Sequence, residues 1–220
     1  HARHMADHLA RNYDYDQVQP LDRDEMVRLL GSQTYIGGDL DRGAGHLQPL
    51  NFALGLAKLA HQAGAIIHEN SPVQRIDHGT ATGTSTVHCE NGRLICDHVV
   101  LATNAYLGDL DRHVAARVMP INNYIVATEP LGDRYPEILP ERPAVADTKF
   151  VVNYWRMDDQ RRLIFGGGET LSYRFPDDIA QMVRPHLLSV YPQLADVALT
   201  HAWGGTLAIT MNRMPYFDRP

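Results

Sequence analysis

Apolar residues fall at helical spacing along the first third of this chain and in strand-like runs along the last half. Met5, Leu9 and Tyr13 share one side of a helix over residues 1–13. "LDRDEMVRLLG" (21–31) predicts a second helix, with Asp22 as N-cap, Glu25 at its third position and Gly31 as the stop. "TYIGGDLDRGAGHL" reads as a short strand followed by a glycine-rich loop. Pro49 suits a first helical turn, and that helix runs to Gly64. Its apolar residues Leu50, Leu54, Leu56, Ala57 and Leu59 wrap most of the way round, and Ala53, Gly55 and Ala60 permit close approach to a sheet. The pattern predicts a buried helix.

"AIIHE" (65–69) and "PVQRID" (72–77) predict strands, and "TSTVHCENGRLICD" (84–97) predicts a hairpin. "HVVLATNA" (98–105) is a continuous apolar run ending in small polar residues, as buried parallel strands often do. Residues 46–105 thus read as the second half of a nucleotide-binding α/β domain. After residue 117 the pattern turns β-rich, with "RVMPINNYIVATEPL", "KFVVNYWRMD", "RRLIFGGGE" and "VALTHAWGGTLAITM". One helix, "DDIAQMVRPHLLSVYP", interrupts them, with Asp177 near its start and Pro185 inside. This predicts a second domain built on a large sheet.

The chain has 220 residues, 44% hydrophobic and 21% charged, within the range of an ordinary globular protein. Its net charge of −6, without a Lys/Arg cluster, argues against a nucleic-acid partner. No apolar run approaches the about 18 residues that span a bilayer, and "HARHMADHLARNY" has no signal-peptide core, so the expected location is cytoplasmic, off the membrane. Asn91-Gly92 predicts a two-residue turn that pairs Glu90 with Arg93, Cys89 with Leu94 and Val87 with Cys96. Cys89 and Cys96 then lie diagonally, roughly 7 Å apart, on a buried face with Val87 and Leu94, and are expected to be reduced.

Gly43-x-Gly45, the helix after it and Glu69 imitate a dinucleotide-binding βαβ unit. The imitation fails locally. "GGDLDR" stands where an apolar strand should end, Gln48 replaces the third glycine, and Pro49 removes an N–H from the helix start. A loop entering a helix is the favoured reading; a nicotinamide-dependent enzyme using Gly43–Glu69 is an alternative. A non-catalytic binding or assembly module using the β-rich half is another.

Taken in order, "GHLQPLNFALGLAKLAHQAGAIIHENSPVQRI", "DHVVLATNAYLGDL", "TEPL", "RLIFGGGE" and "AWGGTLAITMNRMPYF" resemble the FAD-dependent oxidoreductases of the D-amino-acid-oxidase-like family. Glycine and sarcosine oxidases belong to that family, and "GHLQPLNFALGLA" is similar to its gamma-glutamylputrescine oxidoreductase branch. The resemblance covers about residues 31–217. It implies an α+β / α/β fold in which part of an FAD-binding α/β domain joins a substrate domain with a large mixed β-sheet. Residues 1–45 would supply helices and the first strand of the substrate domain. Residues 46–105 would form the second half of the FAD-binding domain, and 106–220 the β-rich substrate domain. The family's opening strand–GxGxxG–helix and closing glycine-rich segment do not occur in these residues, so the expectation is an internal portion of a longer enzyme, inactive and weak in FAD binding on its own.

The resemblance also implies roles. Val73 would pass the adenine, and the turn Ala102, Thr103, Asn104, Ala105 and Tyr106 would approach the ribose and pyrophosphate of FAD. Many members have glycine where Asn104 stands, and asparagine tolerates the left-handed conformation this would need. Trp203 and Gly204 would lie on the strand near the flavin, with Trp203 equally readable as a core aromatic. Tyr124, Tyr154 and Trp155 would line an aromatic pocket for a small-molecule amine, or simply pack. Leu207 matches the position at which glycine-oxidase-like members carry the arginine that grips a substrate carboxylate. Arg213 lies too far along to replace it directly. Ile164 matches the lysine that assists oxygen in sarcosine-oxidase relatives, leaving Lys149 as a substitute cation. No catalytic acid, base or nucleophile is assigned. Of the 12 histidines, His4 and His8 have helical i, i+4 spacing but no further ligand, so no metal is expected. His46, in the loop entering the 49–64 helix, receives no role. "FGGGE" lacks the Lys-Ser/Thr of a phosphate loop and reads as a strand-end turn.

Overall fold

The protein is described by a computed structural model covering residues 2–79, 83–171 and 174–218. The expected first helix is α1 (Ala2–Tyr13), His1 lying outside the described residues. α2 spans Arg23–Leu30 and is bounded as the sequence predicts. The Asp22 side chain accepts from the Glu25 N–H, the Glu25 side chain accepts from the Asp22 N–H, and Gly31 closes the helix at φ 64°. β1 (Val18–Leu21), not anticipated, pairs antiparallel with β2 (Gly38–Asp41), the short strand expected within "TYIGGDLDRGAGHL".

The contacts divide the chain into two compact units, His1–Gln48 with Asn122–Gly205, and Pro49–Ile121 with Thr206–Pro220. β6 (Val118–Thr128), β7 (Val145–Ala146), β8 (Tyr154–Met157), β9 (Leu163–Thr170) and β10 (Leu199–Thr210) form a sheet of order β10-β6-β9-β8-β7, most of it in the first unit. β6/β9, β9/β8 and β8/β7 are antiparallel ladders. Residues 149–153, expected as strand, instead form a loop organised by Asp147. Its carboxylate accepts from the N–H groups of Lys149 and Asn153, the Asn153 amide and the Tyr35 hydroxyl. α6 (Ile179–Val190) begins at Asp178, which accepts from the Gln181 N–H, and buries Val183, Leu187 and Val190, an i, i+4, i+7 stripe.

That stripe joins Val126, Leu163, Phe165, Met157 and Trp155 in the core. Trp155 stacks between Tyr35 and Phe165, at 5.8 and 5.6 Å, and its indole N–H donates to the Tyr191 hydroxyl, which donates to Leu30 O. Each fully buried aliphatic or Phe side chain contributes about 1.5–3 kcal/mol relative to exposure. Trp155 is thus a core residue with its polar edge satisfied.

The second unit holds α3 (Pro49–Gln62), the sheet β3-β4-β5 (Val73–Asp77, Ser85–Cys89, Gly92–Cys96) and α4 (Arg112–Ala115). α5 (Tyr135–Ile138) completes the first unit. Three expectations fail in the second. α3 buries no residue, and Leu50, Phe52, Leu54, Leu56 and Leu59 are all at least half exposed. Residues 65–69 and 98–103 form no strand among the described residues. Parallel strands and a buried helix depend on neighbours distant in sequence, and among the described residues no strand pairs with 65–69 or 98–103. The hairpin turns at Glu90-Asn91, so Cys89 pairs with Gly92, Val87 with Leu94 and Ser85 with Cys96. β3 pins this register from the other side, with Val73 opposite Cys89 and His88 Nε2 2.8 Å from Asp77 Oδ2. Both cysteines are free thiols, and Leu94, expected inside, is exposed. No helix among the described residues is long and apolar enough to cross a membrane.

Candidate functional site

The open face of the five-stranded sheet, opposite Trp155 and Phe165, carries the predicted substrate residues nearest to polar groups. Strand alternation puts Tyr154 on that face, across from Gly166. A Cβ on Gly166 would overlap the Tyr154 ring, so glycine here lets the ring lie flat over β9. The Tyr154 hydroxyl donates to Asn123 Oδ1, and the Asn123 amide donates to Gly168 O at 3.4 Å. Burial pushes the Tyr154 phenol up to about 12, and the negative charge of Glu169 adds to the shift.

"FGGGE" is no strand-end turn. Asn123 faces Glu169 while Ile125 faces Gly166, so two β9 residues, Gly167 and Gly168, bulge opposite Tyr124. Gly168 sits at φ 81°, a conformation glycine supplies without strain. Tyr124 is fully buried and hydrogen-bonds Thr170 Oγ1 at 2.6 Å. Gly204 lies against that ring, whereas Trp203 and Leu207 on β10 are 43% and 42% exposed. Tyr124 and Gly204 therefore meet each other, and Tyr154 joins Asn123 and Glu169. Asn123 and Glu169 were not singled out from sequence. Only the register, set by the bulge, shows that they adjoin Tyr154.

In the second unit, Asn104 adopts φ 51°, the left-handed conformation anticipated for it. Its Oδ1 accepts from the Ala208 N–H at 3.0 Å, and the Tyr106 hydroxyl accepts from the Thr206 N–H at 3.2 Å. The turn Ala102–Tyr106 is thus tied to the 206–208 segment by two side chains, and its remaining residues are small. Val73 opens β3, an edge of its sheet, so among the described residues one side of its backbone meets no strand. A small-residue turn with a fixed left-handed corner and an edge-strand backbone are compatible with the close approach of a dinucleotide.

A cavity of about 980 Å³ lies elsewhere in the first unit, with Tyr35, Asp39, Arg42, His46, Arg142 and Asp147 in its wall. None of Tyr124, Tyr154, Trp203 or Leu207 lines it. Three of its polar side chains hold loops. Asp147 is engaged as above, Arg142 bonds Asp158 O and Asp159, and His46 Nε2 bonds Arg142 O. The sheet face is the better candidate. Ile164 is half-buried on β9, and the Lys149 ammonium is 3.9 Å from the Asp147 carboxylate. His8 hydrogen-bonds Asn12, and among the described residues no group of three His, Cys, Asp or Glu could hold a metal.

Known proteins resemble this chain throughout its length. It is 38% identical over 214 residues to "Probable oxidoreductase OrdL" of Rhizobium meliloti (strain 1021), covering 97% of this chain and 49% of that protein. It is 35% identical over 209 residues to "Gamma-glutamylputrescine oxidoreductase" of Escherichia coli (strain K12), covering 94% and 48%. The chain spans about half the length of these curated relatives. Among solved structures, L-proline dehydrogenase from P. horikoshii superposes with TM-score 0.75 at 19% identity, over 92% of this chain and 56% of that one. Glycine oxidase from Geobacillus kaustophilus gives 0.74 at 20%, over 90% and 53%. These two likenesses establish the fold, with its α/β and α+β parts. Residues 1–220 match the family described as "DAO: FAD dependent oxidoreductase", and the chain belongs to that family of FAD-dependent oxidoreductases.

Proposed function

We propose that this chain supplies the substrate sheet and the adenine-side half of the FAD site in an amine oxidoreductase, of a type that includes gamma-glutamylputrescine oxidation. Val73 and the turn Ala102–Tyr106 would hold the adenine and ribose side of the cofactor, and Tyr154 the substrate. FAD held there would supply a hydride acceptor for the α-carbon of a neutral amine, the imine product then being open to hydrolysis. The chain's own part is to orient the amine and exclude water from it. No acid, base or nucleophile of this chain is needed for that task.

The observation that carries the reading is Leu207. A leucine on β10, four residues past Trp203, offers no partner to a carboxylate on the reacting carbon, and an unpaired buried carboxylate costs several kcal/mol. The 35% relative named for gamma-glutamylputrescine points the same way. The test is anaerobic loss of flavin absorbance in the FAD-loaded enzyme. Bleaching by amines supports the reading, and an enzyme that amines leave yellow contradicts it.

A further inference from the structure

The open sheet face gathers hydrogen-bond acceptors around an anion. Asn123 stands directly across from Glu169, the Tyr154 hydroxyl bonds the Asn123 carbonyl oxygen, and Glu169 follows the Gly167-Gly168 bulge that sets its position. Glu169 is half-buried, and the ion pairs of the described residues do not include it. The Tyr154 proton is already given to Asn123, so this hydroxyl presents lone pairs. The free groups of the cluster are therefore a carboxylate, a phenol oxygen and an aromatic ring. An ammonium, with three donors and one positive charge, complements all three.

We propose that Glu169, Tyr154 and Asn123 form a subsite for a second, cationic nitrogen of the substrate. The inference rests on the amine-oxidoreductase reading above. The nitrogen held here cannot be the reacting one. Hydride leaves the α-carbon only when the adjacent nitrogen has a free lone pair, and a carboxylate beside that nitrogen would favour its protonated form. The substrate class is accordingly a bifunctional amine, one nitrogen neutral at the reacting end and another charged. Glu169 thus adds a remote positive charge to the amine of the proposed function.

The experiment compares putrescine with n-butylamine, which share a four-carbon chain and differ by one nitrogen. In the FAD-loaded enzyme, Glu169→Gln is expected to lower the preference for putrescine, measured as the ratio of the two kcat/KM values, by about tenfold or more, the scale of one lost charge-assisted hydrogen bond. Glu169→Asp, which keeps the charge, should restore part of that preference. Calorimetric titration of putrescine into the flavin-free enzyme provides a readout independent of turnover, and binding should weaken by a similar factor in Glu169→Gln. An unchanged preference together with unchanged calorimetric affinity would overturn the subsite while leaving amine oxidation standing. If neither amine is oxidised by the unsubstituted enzyme, the functional reading fails, and the calorimetry alone still decides whether Glu169 holds a cation.

Discussion

Gly204 and the Tyr124 ring occupy one space: a Cβ at residue 204 would stand 2.9 Å from Tyr124 Cδ1 and 3.2 Å from Asn123 O. The glycine lets β10 approach a tyrosine that is itself fully buried. Gly204→Ala should therefore destabilise the fold by about 1–3 kcal/mol through overpacking. Gly205→Ala, where a Cβ meets nothing within 4 Å, should change little. Denaturant midpoints of the two variants check this, and equal midpoints would refute the packing role.

The end of α2 makes a sharper case. Gly31 is at φ 64°, and a Cβ there would fall on the carbonyl oxygen of Glu137. Gly31→Ala should cost more than about 3 kcal/mol, combining left-handed strain with backbone overlap. Asp22→Ala, at the other end of the helix, should cost only about 1 kcal/mol by removing the cap. Thermal unfolding that ranks them in the opposite order would contradict this account of the helix.

Alkaline pH should weaken the first unit. Burial raises the phenols of Tyr35, Tyr154 and Tyr191, that of Tyr154 from 10.0 to about 12. The folded protein then holds protons that the unfolded chain releases, so stability is fully present below pH 10 and is lost as pH rises through 12 and beyond. Tyrosinate absorbance should show these three of the 10 tyrosines titrating late. Tyr154→Phe should remove one late step and flatten the loss of stability.

Oxygen should be a poor acceptor. Ile164 brings no charge to β9, and the Lys149 ammonium already faces a carboxylate whose side chain is 2% exposed. The reduced enzyme is expected to react slowly with oxygen, and Lys149→Ala to leave that rate unchanged. Stopped-flow reoxidation as rapid as that of a typical oxidase would contradict this.

What the sequence reveals and what it hides separate by range. The α2 capping box was legible because Asp22, Glu25 and Gly31 act within one helix. So was the left-handed Asn104, whose side chain tolerates that conformation. The hairpin turn moved from Asn91-Gly92 to Glu90-Asn91 because β3 contributes to the register, through Val73 opposite Cys89 and Asp77 beside His88. The apolar runs 65–69 and 98–105 carry the composition of parallel strands, but composition supplies no ladder partner. The Asn123–Glu169–Tyr154 cluster was hidden for a related reason. Its members come from three strands, and they converge only through the bulge at Gly167-Gly168.

The central claim is that this site serves an amine whose reacting carbon bears no carboxylate. Steady-state turnover by the FAD-loaded enzyme on matched substrates tests it most directly, with glycine, sarcosine and D-alanine set against ethylamine, putrescine and gamma-glutamylputrescine. The account predicts efficient turnover within the amine set and little or none of the three amino acids, because a leucine at position 207 would offer their carboxylate no partner. Efficient oxidation of glycine, sarcosine or D-alanine, with the amines inert, would contradict it.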